Sequence, residues 1–203
     1  VNIYRVAAEY EYEIDDLNVA SIDDGLIASQ KCIIANSSCI GCIRGLSAFL
    51  FLKAKWEHRK GRSGQKFAEQ ALIHSRSVLK LNSKEVEAMN DIAEIFGYLA
   101  KIGAGSRLSG QYLDDGLTQL DESIRENPLV ARTHLLKAEL LLQRADFVRS
   151  AAGKQTELRA SENEFLRGFE LNPMLRHHHD AQLNKVRAVM KRGAESGLAT
   201  AGR

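Results

Sequence analysis

The chain has 203 residues, enough for one domain with a buried core, and 44% of them are hydrophobic while 27% are charged. Its formal net charge of +2 argues against nucleic acid as a partner. The longest apolar run, residues 46–52, is far shorter than the roughly 18 residues of a membrane span, so we expect no membrane insertion.

Helical periodicity recurs along the sequence. Residues 1–14 predict a first helix, and because the chain begins with Val we interpret it as part of a longer protein. Eight further segments follow, alternately named helix B and helix A. Helix B is expected at 17–35, 66–81, 111–126 and 155–171, and helix A at 38–54, 84–101, 129–145 and 174–191. Residues from about 193 to 203 are expected to form a flexible tail.

An asparagine marks the end of each helix B and reveals an internal repeat. Asn36, Asn82, Asn127 and Asn172 are spaced 46, 45 and 45 residues apart. Two columns of mostly small residues stand eleven and four residues before them: Gly25, Ala71, Gly116 and Ser161, then Cys32, Val78, Ser123 and Gly168. Such a period is typical of stacked helix pairs. Residues 1–203 are therefore predicted to form a single array with boundaries near the four asparagines.

The small positions of helix B, and the Asn-Pro step after helix B in two units, resemble the tetratricopeptide repeat. The best match is YLDDGLTQLDESIRENP, residues 112–128. The resemblance implies an all-α, right-handed α-α superhelix, a solenoid of about four helix pairs with an N-terminal helix and a C-terminal capping helix. Ile43, Met89, His134 and His179 replace that family's large aromatic residue near the start of helix A. A HEAT-like array, with units of roughly 40–47 residues, is the structural alternative.

The period is longer than the roughly 34 residues usual for that family. We assign the excess to long turns between helix A and helix B, at 53–65, 101–111 and 143–155. This long-turn variant resembles the repeat region that follows the catalytic domain of some bacterial serine/threonine protein kinases. The resemblance implies a non-catalytic protein–protein interaction module of a larger signalling protein. Its partner would be a peptide or protein, such as a kinase domain or its substrate.

All three cysteines, Cys32, Cys39 and Cys42, lie within eleven residues. They are too few for a disulfide scaffold and favour a reducing compartment, so we expect a cytoplasmic protein. Cys32 shares a column with residues that bind no metal, which favours a packing role. A Cys-x-x-Cys pair at a helix start also suits redox chemistry. A zinc site needs four ligands and no fourth is near in sequence, so we expect no metal and no cofactor.

Two other stretches look like chemical motifs. GAGSRLSG, residues 103–110, contains Gly-x-Gly but follows a helix rather than a strand, so a flexible turn explains it. HHHD, residues 177–180, places His177 and Asp180 at a spacing that metal ligands use on a helix, but a solvated helix start explains it as well. The sequence carries no hydrolase or kinase signature, and we expect no catalysis by this chain.

The predicted A–B turns are rich in positive charge. They carry ten basic and two acidic residues, and the first turn contributes Lys55, Arg59, Lys60 and Arg62. We hypothesise that this basic edge docks an acidic or phosphorylated protein. An RNA-binding helical-repeat protein that uses the same turns is the alternative function.

Helix A of the tetratricopeptide family lines the concave groove in which ligands bind. The repeat register gives seven candidates for exposed, partner-binding positions on helix A: Arg44, Asn90, Glu94, Tyr98, Arg132, Glu139 and Gln143. Their mixed polarity suits hydrogen bonds to the backbone of an extended peptide. The oligomeric state is left open by the sequence.

Overall fold

The structure is a computed structural model that describes residues 19–103 and 106–201. These residues form α-helices and one short 3₁₀ helix, without a strand among them. The α-helices are α1 (Val19–Ala35), α2 (Ile40–Arg59), α3 (Gln65–Leu81), α4 (Val86–Ile102), α5 (Arg107–Glu126), α6 (Ala131–Arg144), α7 (Ala151–Leu171) and α8 (Arg176–Ala201), and the 3₁₀ helix is Pro173–Leu175. None of the helices in this part of the chain is long and apolar enough to cross a bilayer.

The helices occupy the predicted segments, with α1, α3, α5 and α7 as helix B and the others as helix A, so the all-α class is confirmed. The predicted helix at 1–14 lies outside the described residues. Helix α8 continues to Ala201, through most of the expected tail, and the flexibility of that tail stays a prediction. The chain divides into two compact units, Val1–Ile102 and Gly103–Arg203, which are described separately. The single array likewise stays a prediction.

Each joint from helix B to the next helix A is built in the same way. The Oδ1 atoms of Asn36, Asn82, Asn127 and Asn172 accept a hydrogen bond from the backbone N–H two residues later, at 3.1–3.2 Å. Their own backbone N–H groups donate to the carbonyl four residues earlier, at 2.8–3.0 Å. Asparagine suits this turn because its side-chain oxygen replaces a backbone acceptor. The recurring asparagine therefore marks a recurring chain reversal.

The prediction of long A–B turns is wrong. Helix α2 continues to Arg59 and α7 begins at Ala151, so the connecting segments are only 60–64 and 145–150. The extra residues of the 45-residue period therefore lengthen the helices. Charged and polar residues on the outer side of α2 gave this stretch the composition of a loop. The first connection reverses at Gly61, whose φ of 74° suits a glycine that follows a helix end.

The core of the first unit depends on close approach between helices B and A. A Cβ on Gly25 of α1 would overlap the ring of Phe49, which is fully buried in α2. Phe49 forms a buried cluster with Ile22 and Leu52, and Trp56 packs against it. The absence of a side chain at residue 25 thus creates the space that the phenyl ring fills.

The second unit repeats this arrangement with different residues. A buried cluster joins α6, α7 and α8 and includes Leu135, Leu158, Phe165 and Val186. Ser161 is fully buried, and its hydroxyl donates to the carbonyl of Ala138 at 2.7 Å. The predicted small column is confirmed as a packing column in both units, because Gly25, Ala71, Gly116 and Ser161 are all buried.

Candidate partner-binding surfaces

The predicted contact residue Arg44 forms an ionic cluster within the first unit. Its guanidinium lies 3.1 Å from Asp91 Oδ2, 3.6 Å from Glu87 and 3.7 Å from Glu85. All three carboxylates belong to α4 or to the turn before it, whereas Arg44 belongs to α2. The arginine therefore connects two successive A helices.

Two more predicted contact residues, Glu94 and Tyr98, also join α4 to α2. Glu94 Oε1 lies 3.4 Å from Lys55 Nζ, and that ammonium sits 4.6 Å above the ring of Phe51. The Tyr98 hydroxyl donates to the carbonyl of Ala54 at 2.8 Å. These side chains thus use much of their capacity for ion pairs and hydrogen bonds in contacts within the protein.

The predicted exposure of one candidate, Asn90, is wrong. Asn90 was expected to face solvent, but it is fully buried in α4. Ala93, about one helical turn later, is also fully buried, so Asn90 lies on the core side of α4. An incoming peptide cannot contact Asn90 without displacing neighbouring side chains.

The remaining helix-A candidates lie in the second unit. Arg132, Glu139 and Gln143 are half-buried on α6. Glu139 Oε1 lies 3.1 Å from Nδ1 of His179 in α8, so it also connects two A helices. Whether any of these residues contacts a partner stays a prediction.

A polar network surrounds His134 in the second unit. His134 stands where the tetratricopeptide repeat usually has an aromatic residue. His134 is only 6% exposed, with Nδ1 2.7 Å from Glu164 and Nε2 3.0 Å from the carbonyl of Pro128. Lys137 Nζ lies 3.0 Å from Glu164 and 2.8 Å from Asp121. Burial opposes protonation of Lys137, but hydrogen bonds to both carboxylates outweigh burial and raise the pKa of Lys137. The network joins α5, α6 and α7.

The predicted basic edge is partly neutralised by acids from the rest of the chain. Lys53 pairs with Asp23 at 2.7 Å, whereas Arg62 pairs with Glu57 of its own segment. Arg144 lies 2.8 Å from Glu157, a further pairing that removes local positive charge. Arg59 and Lys60 are exposed. Asp23 and Glu157 lie outside the segments 53–65 and 143–155, so the net positive charge in each segment is smaller than the composition of that segment indicates.

A pocket of about 330 Å³ opens between α1 and α3 of the first unit. Its lining includes Leu46 and Leu50 of α2, amides at Gln30 and Gln70, and the side chains of Ile73 and His74. The two leucines are buried, whereas Ile73 is 65% exposed. The pocket thus combines buried apolar groups with amides and an exposed aliphatic side chain. The partner-binding positions predicted from the sequence lie on helix A and in the turn after it, whereas most of the pocket lining belongs to helix B.

The burial of His74, which lines this pocket, makes the stability of the first unit depend on pH. Burial disfavours the imidazolium and lowers the pKa of His74 below its usual 6.5. The unfolded chain therefore takes up the proton more readily, so the stability contributed by neutral His74 is present above about pH 6.5 and is lost as the pH falls through the folded-state pKa.

We expect His74→Gln to lose less unfolding free energy than the wild type when the pH is lowered from about 7 to 5, because the substituted amide does not titrate. Urea denaturation at several pH values checks this result. His178→Gln, at a solvent-exposed position, is the matched control and should follow the wild-type profile. Parallel profiles for His74→Gln and the wild type would contradict the role assigned to His74.

The three cysteine sulfurs come together at the joint between α1 and α2. Cys32 and Cys42 form a disulfide, and Cys39 is a free thiol. All three sulfur atoms lie within 4.8 Å of one another. Cys42 is buried, as a packing role requires, but Cys32 and Cys39 are only half-buried. The asparagine turn brings Cys32 back against the start of α2, and a disulfide there agrees with the redox chemistry that the Cys-x-x-Cys spacing left open.

Comparisons with known proteins support the fold. No family model matches the chain, and no curated protein matches it by sequence. A solved structure of a thermophilic tetratricopeptide-repeat protein from Thermus thermophilus superposes with a TM-score of 0.51 at 12% identity, covering 94% of this chain and 98% of that one. At this identity the likeness concerns the fold alone. The chain has the α-α repeat fold of tetratricopeptide-repeat proteins.

Proposed function

We propose that this chain is a non-catalytic protein-interaction module that binds a segment of a partner protein in the pocket between α1 and α3. The observation that carries the proposal is the pocket itself, where buried Leu46 and Leu50 lie beside the exposed Ile73. Repeat folds of this kind present surfaces between successive helices for binding. A partner would cover apolar surface that is now exposed to water.

The chemistry of the pocket suits a peptide with an aliphatic anchor. Such a side chain would contact Leu46 and Leu50 and bury the exposed part of Ile73. The amides of Gln30 and Gln70 can donate to and accept from a peptide backbone. Ile27 and Ile34, which are 49% and 85% exposed, stand at helical spacing from Gln30 and extend the apolar character along α1.

The helix-A face within each unit is a second candidate surface for the same function. Arg44, Glu94 and Tyr98 make contacts within the first unit, so a peptide would have to compete with those contacts. Gln143 on α6 is half-buried and has an amide that can bind a peptide backbone. Ile73 and Gln143 therefore represent the two surfaces in a crosslinking experiment.

We also propose that the module belongs to a larger, cytoplasmic bacterial signalling protein, namely a serine/threonine protein kinase. The long-period repeat resembles the region that follows the catalytic domain in such kinases, and the partner would then be that catalytic domain or its substrate. The reading frame upstream of Val1 tests this context. Kinase signatures there, such as His-Arg-Asp and Asp-Phe-Gly, would support it, and a different domain would contradict it.

Photocrosslinking identifies the partner and the surface together. A photoreactive amino acid is placed at Ile73, at Gln143 and, as a control, at Leu129, which is 67% exposed and therefore as accessible as Ile73. We expect crosslinks to one protein from position 73 and not from position 129. A crosslink from position 143 alone would move the binding site to the helix-A face.

The identified partner then allows a measurement of affinity. Ile73→Asp is expected to weaken binding at least about tenfold, because it places a charge beside apolar groups that the partner would bury. Leu129→Asp is the matched control and should change the affinity less than about twofold. Equal affinities for both variants would contradict the assigned pocket.

The RNA-binding alternative predicts different results in the same assays. Binding would then fall steeply with salt and be lost on charge reversal of Lys55, Arg59, Lys60 and Arg62. Peptide capture in an apolar pocket should tolerate both changes, as well as nuclease treatment. The ion pairs of Lys53, Arg62 and Arg144 reduce the positive charge available to RNA, and for this reason we favour the protein partner.

A further inference from the structure

All three cysteines of the chain lie at the joint between α1 and α2. Cys32 lies in the last turn of α1, Cys39 caps the start of α2 and Cys42 lies in its first turn. The turn between them is held by hydrogen bonds from Asn36 N–H to the Cys32 carbonyl at 3.0 Å and from Cys39 N–H to the Asn36 carbonyl at 3.1 Å. The turn therefore brings the three cysteines to one place in the fold, where the disulfide joins Cys32 to Cys42.

We infer that the reduced form of this joint is a three-thiolate binding site for Zn²⁺. Zinc–sulfur bonds of about 2.3 Å in a tetrahedral site separate the sulfur atoms by about 3.8 Å. The three sulfur atoms here already lie within 4.8 Å of one another, so small side-chain rotations suffice. Thiolates are soft ligands that select zinc over magnesium or calcium.

One side of the cysteine cluster is accessible to a zinc ion from solvent. Cys42 is buried, whereas Cys32 and Cys39 are half-exposed, so the open side of the cluster faces solvent. Within the described residues, no histidine or carboxylate joins the three sulfurs, and the fourth zinc position would be taken by water. Three thiolates and one Zn²⁺ carry a net charge of −1, which the N-terminal end of α2 stabilises.

The Cys32–Cys42 disulfide and zinc binding exclude each other, because the same two sulfur atoms serve both. An external dithiol reduces the protein disulfide by two electrons: the bond between the Cys32 and Cys42 sulfurs breaks, each sulfur becomes a thiol with a proton, and the dithiol becomes a disulfide. Zinc then displaces the thiol protons and binds the three thiolates. In a reducing compartment the dithiol form would prevail, so zinc would be bound there.

Zinc binding is measured on the full chain after anaerobic reduction with a dithiol and removal of the reductant. We expect about one Zn²⁺ per chain, and Co²⁺ in its place should give the charge-transfer and tetrahedral bands of cobalt thiolates. Cys39→Ser keeps the buried Cys42 intact and should weaken zinc binding at least about tenfold, since the loss of even an outer-shell group has that effect. Cys32→Ser should do the same.

Two controls test whether the cysteines are the groups that hold the zinc. His177→Ala/His178→Ala removes exposed histidines that could bind zinc elsewhere, and it should leave binding unchanged. Oxidised protein with the Cys32–Cys42 disulfide should bind no zinc at the cysteines. Absence of zinc from the reduced chain, unchanged binding by Cys39→Ser, or cobalt spectra without thiolate bands would each overturn the inference. None of these readouts depends on the proposed partner.

Discussion

Gly25→Ala is expected to lower the free energy of unfolding of the first unit by about 1–3 kcal/mol, the usual effect of an overpacked core. The added methyl group would overlap the Cε1 and Cζ atoms of Phe49. Phe49 is fully buried against Ile22 and Leu52, so its ring cannot move aside without disturbing that cluster. The higher helix propensity of alanine offsets only a part of this strain.

The effect of Gly25→Ala is measured by urea denaturation followed through the fluorescence of Trp56. Trp56 is the only tryptophan of the chain and packs against the affected cluster. Gly41→Ala is the matched control: it lies in α2, a Cβ there meets nothing within 4 Å, and it should be neutral or stabilising by up to about 1 kcal/mol. Phe49→Leu should lessen the effect of Gly25→Ala in a double-mutant cycle. Equal stabilities of the two alanine variants would contradict the close approach.

Phe165→Ala is expected to destabilise the second unit by about 3–5 kcal/mol, the range for a buried phenylalanine. Phe165 is fully buried in the cluster of α6, α7 and α8 and stacks on Phe169 with ring centroids 6.1 Å apart. Removing the ring leaves a cavity, and the closely packed side chains of α6, α7 and α8 cannot fill it completely.

Circular dichroism during denaturation and hydrogen exchange of α6 and α7 would measure the effect of Phe165→Ala. Phe147→Ala provides the matched control, because Phe147 is 42% exposed and its removal leaves no closed cavity. The control should lose less than about 1 kcal/mol. A similar loss for both variants would show that burial does not set the cost at residue 165.

The helices and their period could be predicted from the sequence because both depend on local patterns. Apolar residues at helical spacing define the buried face, and each asparagine makes a turn with its own neighbours. The lengths of the helices could not be predicted as well. Residues such as Lys53 and Lys55 are compatible with either a loop or the outer face of a helix, and α2 includes both.

The candidate surfaces were less predictable because they depend on residues far apart in the sequence. The register places Arg44 on helix A, but it does not show that Asp91, 47 residues later, accepts its hydrogen bonds. The same limit applies to Asn90, whose burial depends on how α4 is rotated against its neighbours. For the cysteines, comparison of single columns pointed to packing, whereas the three sulfurs meet only when the turn at Asn36 is formed.

The asparagine joint has a consequence for the speed of folding. Its hydrogen bonds, such as those of Asn82 and Asn127, connect groups only two to four residues apart. Loops of about ten residues close in roughly 10–100 ns, far faster than a domain folds. Each reversal can therefore form many times before the helices meet. The long-range contacts then form in a chain whose turns are already in place.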